Sequence, residues 1–317
     1  MSAITLARRI TARGLSASGA YPPLNAACGR LAGGFVLAYH NPPPERVVEH
    51  LRALEPNRPV PLGDLVARHV GGASTSGMFA ITFDDGVAST VRGIAPLART
   101  HGWPVTFFIP TAYVEDRRAM PFQWLEAIRG HLPAERMTVC SEVLDLTGPG
   151  AREVFLRDLT RRMYTRPRAE YESLILALAE RLVAHGVVDP RQLALPAAAT
   201  WDEIAELARD DLIRFESHGI SHVAVAALSS ADLERELRGS QEAVAAHTRR
   251  PCEHFCYPFG GHESIGEEAP AVVARVYKSA VTMMRGRLGK RPPELLPRIP
   301  LYPHDDRAMA RLKVLTN

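Results

Sequence analysis

The sequence predicts an α/β protein, either a βα barrel or a doubly wound sheet. Seven short apolar runs recur along the chain, each bounded by polar or turn-forming residues. Helical patterns lie between them, and strands that alternate with helices pair in parallel. Residues able to carry chemistry also sit at the ends of these runs, where parallel α/β folds gather their functional groups.

The runs are "FVLAYH" (Phe35–His40), "MFAITFDDG" (Met78–Gly86), "VTFFIPT" (Val105–Thr111), "LIRFESHG" (Leu212–Gly219), "HFCYPFGG" (His254–Gly261), "SAVTMM" (Ser279–Met284) and "LLPRIPL" (Leu295–Leu301). After the second run, Val91, Ile94, Leu97 and Ala98 fall at helical spacing. "TWDEIAELARDD" opens with a capping box, Thr200 with Glu203. "SSADLERELRGSQEAVAAH" sets Leu233, Leu237 and Val244 on one face. The segment from about 113 to 199 breaks the rhythm. It is helical in pattern and shows no clear strand, so it reads as a helical insertion or lid. Residues 1–30 read as a loosely ordered N-terminal extension, and 31–317 as the main domain.

The chain has 317 residues, 46% of them apolar and 23% charged, which suits a globular protein with a substantial core. A net charge of +3 is too small to argue for nucleic acid or an anionic membrane as partner. No stretch reaches the roughly 20 apolar residues of a transmembrane helix. The N-terminus carries Arg8, Arg9 and Arg13 without the apolar core of a secretory signal. The expected location is cytoplasmic, with attachment to the inner membrane face as a variant. Cys28, Cys140, Cys252 and Cys256 are too few for a disulfide framework. Cys252 and Cys256 could pair, and buried thiols are the preferred reading.

Asp84 and Asp85 stand side by side before Gly86. Adjacent carboxylates repel and resist burial without a compensating cation or donors. Alone they could be a solvated turn. "SHGISH" then supplies His218 and His222, an i, i+4 pair. On a helical turn both imidazoles would share a face and reach one metal ion. Two histidines and one carboxylate form a zinc-type set that leaves coordination positions open, as a catalytic site requires. One aspartate would serve the metal, and the other could take a proton from water that the cation has made more acidic.

Taken in order, "ITFDDG", "PVTFFIPT", "SHGISH" and "YPFG" resemble the NodB-like polysaccharide deacetylases, carbohydrate esterase family 4, over roughly residues 33–301. The resemblance implies a distorted (β/α) barrel of about seven strands. It implies Asp84 as general base, and Asp85, His218 and His222 as ligands of zinc or a similar divalent ion. The family's Arg-x-Pro-Tyr motif is Cys256-Tyr257-Pro258-Phe259 here, so the arginine that orients the base is missing; Arg298 in "LPRIP" is the best substitute. Phe259 in place of tyrosine keeps the backbone N–H that the family directs at the oxyanion.

The family's Leu-x-His motif, source of its general acid, has no clear copy after "YPFG". His40 of "VLAYH" and His304 of "LYPHDD" are the candidates, and His40 is preferred. A leading Tyr-His strand resembles the circularly permuted branch of the family, which includes exopolysaccharide deacetylases. His254 and His262 could line the cleft, and Trp124 could stack on a sugar or simply pack.

The activity implied is metal-dependent removal of an N-acetyl group from an amino sugar in a polysaccharide or glycan precursor. The alternatives are a metal-dependent hydrolase of a non-sugar amide or O-acetyl ester, and a non-catalytic glycan-binding relative.

Overall fold

The computed structural model describes residues 11–14, 18–117, 119–186 and 197–317. Its main sheet is entirely parallel. In chain order the strands are β1 (Phe35–Tyr39), β2 (Arg58–Pro59), β3 (Met78–Phe83), β4 (Val105–Ile109), β5 (Arg136–Val139), β6 (Glu142–Asp145), β7 (Ile213–Ser217), β8 (His254–Cys256), β9 (Ser279–Arg285) and β10 (Leu296–Pro300). The sheet runs β1-β10-β9-β8-β7-β4-β3-β2, and β1 also pairs with β3 along its length, from Phe35 opposite Phe79 to Tyr39 opposite Phe83. That pairing closes a seven-stranded barrel of β1, β3, β4, β7, β8, β9 and β10, with β2 attached beside the start of β3. These seven are the apolar runs of the sequence, and the fold is the distorted (β/α) barrel that it implies.

The runs are apolar on both faces because both are buried. On β1, Phe35, Leu37 and Tyr39 point into the layer that packs on helical Val91, Ile94 and Ala98. Val36 joins Ala80, Phe108, Val281 and Leu296 in the smaller cluster inside the ring. Leu62, Leu65 and Val66, from the helix Leu62–Val70, enter that inner cluster and close the amino end of the barrel. Across four neighbouring strands Tyr39, Phe83, Phe107 and Phe215 stack in turn, each pair of ring centroids 5.3 Å apart.

Between β4 and β7 the chain builds a separate apolar cluster from the helices Pro121–Ile128, Ala151–Thr165 and Ala169–Ala184. The helical expectation for this segment needs one correction. It contains an antiparallel hairpin, β5 with β6, in which alternate Met137, Val139 and Leu144 are buried against the helices. Four-residue strands are too short to show a period in sequence. On its return the chain is tied to the turn after β3, with Ala88 N–H donating to Ala197 and Ala199 N–H to Gly86.

The expectation of loose order near the N-terminus also fails for part of the segment. Tyr21–Ala32 is a helix. Tyr21 and Asn25 are buried, and Asn25 bonds Asn57 and accepts from Arg287 at 2.6 Å. Residues 1–10, with Arg8 and Arg9, lie outside the described residues. The four cysteines are free thiols.

Phe107 is fully buried at the centre of the aromatic stack. Phe107→Ala should lower unfolding stability by about 3–5 kcal/mol, the cost of the lost transfer and of the cavity left behind. Urea unfolding followed by circular dichroism measures it. A loss below about 1 kcal/mol would mean that the stack contributes little.

Candidate active site

The carboxyl ends of the strands supply the site. His40 follows β1, Asp84 and Asp85 follow β3, His218 follows β7, and the Tyr257–Gly261 turn follows β8. Asp85 Oδ1 lies 3.4 Å from His222 Nε2 and 3.7 Å from His218 Nε2. The three residues are buried, and one ligand atom from each lies within 4.8 Å of the other two. Two imidazoles and a carboxylate converging this closely are a donor set suited to a divalent cation. His218 Nδ1 is engaged by the Cys256 carbonyl at 2.7 Å, which fixes the ring and turns Nε2 towards Asp85. Burial and the neighbouring His222 lower His218 to about 4, so at neutral pH it is a neutral imidazole, the form that ligates.

The histidine pair is not on a helical turn, as its i, i+4 spacing suggests. His218–His222 is a loop. Gly219 takes φ +81° and His222 φ +51°, and this path, not helical periodicity, brings the rings together at a centroid distance of 4.8 Å. Buried Glu236, on the helix Ser230–Thr248, holds the loop. It accepts from Ile220 N–H at 2.8 Å, Ser221 N–H at 2.7 Å and the Ser221 hydroxyl at 3.0 Å. Nothing in the sequence singles out Glu236, because it sits at an ordinary position of a charged helix.

Asp84 is paired with Arg298. The fully buried guanidinium donates from Nη1 to Oδ1 and from Nη2 to Oδ2, both at 2.7 Å. Its remaining donors reach the Thr282 carbonyl, the Thr82 hydroxyl and the sulfurs of Cys256 and Met283. The register of β9 against β10 shifts between Val281 and Arg285, and that irregularity presents the Thr282 carbonyl to Arg298. Cys256 stands where the family motif has arginine, and its thiol leaves room for a guanidinium arriving from β10. Burial alone would push the Asp84 carboxyl up; Arg298 and, less strongly, His40 outweigh it and hold the group well below the usual carboxylate range. Asp85 is also held low, since its histidine neighbours outweigh its burial.

His40 Nε2 lies 3.3 Å from Asp84 Oδ2 with its side chain 43% exposed. Phe259 takes φ +62°, an uncommon conformation for a bulky residue, and its ring meets His222 edge-on at 5.0 Å. The structure thus brings together Asp84, Asp85, His218, His222, Arg298, His40 and Phe259. It leaves His304 outside: that residue is exposed and stacked on Tyr302. His254, the first residue of β8, is buried against Ser279, away from the cleft, and His262 does not line the cavity either. Trp124 packs on the helical cluster. The sequence reading missed Phe122, Leu125, Met163 and Tyr164, which also line the cavity. Their helical spacing marks them only as core residues.

Residues 71–276 match the family of polysaccharide deacetylases. No curated protein sequence matches the chain. Among solved structures, the fold is similar to that of the deacetylase PplD of Streptococcus pyogenes, solved in complex with acetate, at 13% identity and TM-score 0.56 over 86% of this chain and 93% of that one. It is also similar to IcaB of Ammonifex degensii (13%, 0.54, 89% and 97%) and to the deacetylase domain of BpsB of Bordetella bronchiseptica (13%, 0.53, 86% and 96%). At these identities the likeness is one of fold.

Arg298→Met would leave Asp84 buried without its counter-charge, at a cost of about 3–5 kcal/mol at neutral pH. The pH dependence follows from the direction of the shift. In the parent, a carboxyl held below its unfolded value adds stability above about pH 4 and loses it as the pH falls through the folded value. In the variant only the neighbouring histidines still oppose burial, and the group rises relative to the parent, so the deficit should widen from acid to neutral pH. Urea unfolding of the chelator-treated proteins across that range tests this, and a deficit independent of pH would count against it.

Proposed function

The chain belongs to the polysaccharide deacetylase family and is a hydrolase of carbon–nitrogen bonds other than peptide bonds, and we propose that it removes the N-acetyl group from an amino sugar of a glycan or glycan precursor in a divalent-metal-dependent reaction. One observation carries this reading: the buried Asp85, His218 and His222 set lies beside an arginine-clamped Asp84 at the floor of one cavity. Zn²⁺ is the ion that two imidazoles and one carboxylate suit best. A cation held there supplies Lewis acidity, making water a better nucleophile at neutral pH and polarising the acyl oxygen.

The chain's own residues do the rest. Asp84, kept ionised by Arg298, accepts a proton from the attacking water. The water oxygen bonds to the acyl carbon. Phe259, at the turn after β8, directs its backbone N–H at the oxygen that gains charge. His40, at the open rim and in contact with Asp84, gives its proton to the departing nitrogen as the carbon–nitrogen bond breaks. The products are acetate and the free amino sugar. That the Streptococcus pyogenes deacetylase was solved in complex with acetate accords with a product of this kind. On the same reading residues 31–317 form one deacetylase domain with an insertion at about 113–199, and the leading position of β1 reflects a circularly permuted arrangement.

Acetate release from N-acetyl and O-acetyl sugars, with and without added Zn²⁺ or Co²⁺ after chelation, tests the reading. Release from N-acetyl sugars that returns only with metal is expected; activity confined to O-acetyl esters, or insensitive to chelation, would overturn it. Replacing Asp85, His218 or His222 by Ala should sharply weaken metal binding, measured by elemental analysis of the dialysed protein. If the triple variant kept stoichiometric zinc, the site would lie elsewhere.

Asp84→Asn should keep the metal and lose turnover by about 10²–10⁴-fold, the usual contribution of a general base. Loss of metal together with turnover would exchange the roles of the two aspartates. His40→Ala should lower kcat and leave metal content unchanged, while His304→Ala should do little. An unaltered kcat in His40→Ala would remove His40 from the role of acid.

A further inference from the structure

The cavity over the candidate active site holds about 210 Å³. That is below the roughly 300–1,000 Å³ of pockets that take drug-sized ligands. It suits one sugar ring better than a run of several. Its walls are unequal. The floor, from the barrel, carries His40, Asp84, Asp85, His218 and His222. The opposite side comes from the segment between β4 and β7 and is mostly carbon, from Phe122, Leu125, Met163 and Tyr164; the Glu126 carboxylate, paired with Arg129, also lies on it. Thr160 on that side already donates its hydroxyl to the Leu156 carbonyl of its own helix.

This second wall is seated on the barrel rim at two points. The Tyr164 ring packs on Phe259 with centroids 4.9 Å apart, and Phe122 packs on His222 at 5.3 Å. The cavity is therefore closed on the side of β7 and β8. On the side of β1 it is open, where the His40 side chain is 43% exposed directly above buried Asp84. A polymer threaded through the site would have to continue past Phe122, Tyr164 and Phe259. Its hydroxyls would there face apolar side chains and lose partners they have in water.

We infer that the segment between β4 and β7 acts as a blind wall, so that the enzyme takes a single N-acetylated sugar at the end of its carrier and rejects internal residues of a chain. Tyr164 and Phe122 are the residues that determine this specificity. The inference rests on the deacetylase reading above and adds to it the position of the reacting sugar.

The test uses the metal-loaded full chain with two substrates, the methyl glycoside of N-acetylglucosamine and its β-1,4-linked hexamer. The hexamer should lose one acetyl group, and mass-spectrometric sequencing should place it on a terminal ring. Tyr164→Ala shortens the wall without touching the metal ligands. It should raise kcat/KM for the hexamer relative to the monosaccharide by about tenfold, the scale of a modest steric change in a pocket, and should admit internal deacetylation. Loss of internal acetyl groups by the parent enzyme, or an unchanged ratio in Tyr164→Ala, would overturn the inference.

If neither substrate releases acetate, the failure belongs to the deacetylase reading, and the wall is tested by binding. Saturation-transfer NMR of the hexamer should then show contact concentrated on a terminal ring. Even saturation along the six rings would overturn the blind wall.

Discussion

A guanidinium and a carboxylate that meet inside the mouth of a barrel set the terms for the rest of the site. Asp84, just after β3, and Arg298, on β10, come from strands separated in the ring by β1, and both are buried. Neither charge is tolerable there alone. Together they satisfy both carboxylate oxygens and leave the other guanidinium donors for Thr82, Thr282 and two sulfurs. The irregular register of β9, the thiol at 256 and the small hydroxyl at 82 all serve this one pair. With Asp84 fixed as an anion, its neighbour Asp85 turns to the histidines on the other side.

The barrel was legible because each strand is buried on both faces, and such strands read as apolar runs between turn residues. The acids and histidines were legible because charged or ligating groups at the ends of such runs have few structural reasons to be there. Arg298 was only half legible. An arginine within "LPRIP" could as easily face solvent, and what makes it inward is the pleat of β10 and the carboxylate waiting opposite. The path of His218–His222 was misread, since i, i+4 spacing looks the same in a helix and in a loop that Gly219 allows to turn back. The hairpin of β5 and β6 was missed because four residues cannot display an alternation.

The cavity wall was illegible for a different reason. Phe122, Leu125, Met163 and Tyr164 are core residues by pattern, and most of their surface does pack in a core. Only the placement of that small core against Phe259 and His222 turns one edge of it into a lining. Sequence periodicity reports which face of a helix is apolar; it does not report which part of that face is left uncovered.

Glu236 carries a consequence of its own. The loop that bears the two histidines is held by a carboxylate from the protein, through two backbone donors and one hydroxyl. The protein itself supplies groups that gather it. Small structural zinc modules work the other way: there the ion assembles the chain, and removing it unfolds the module. A loop braced from behind lets a cation come and go without dismantling the polypeptide. On the proposed metal-dependent reading, occupancy of the site and folding of the scaffold would be separable quantities, and activity would follow the supply of the ion while the scaffold stays intact.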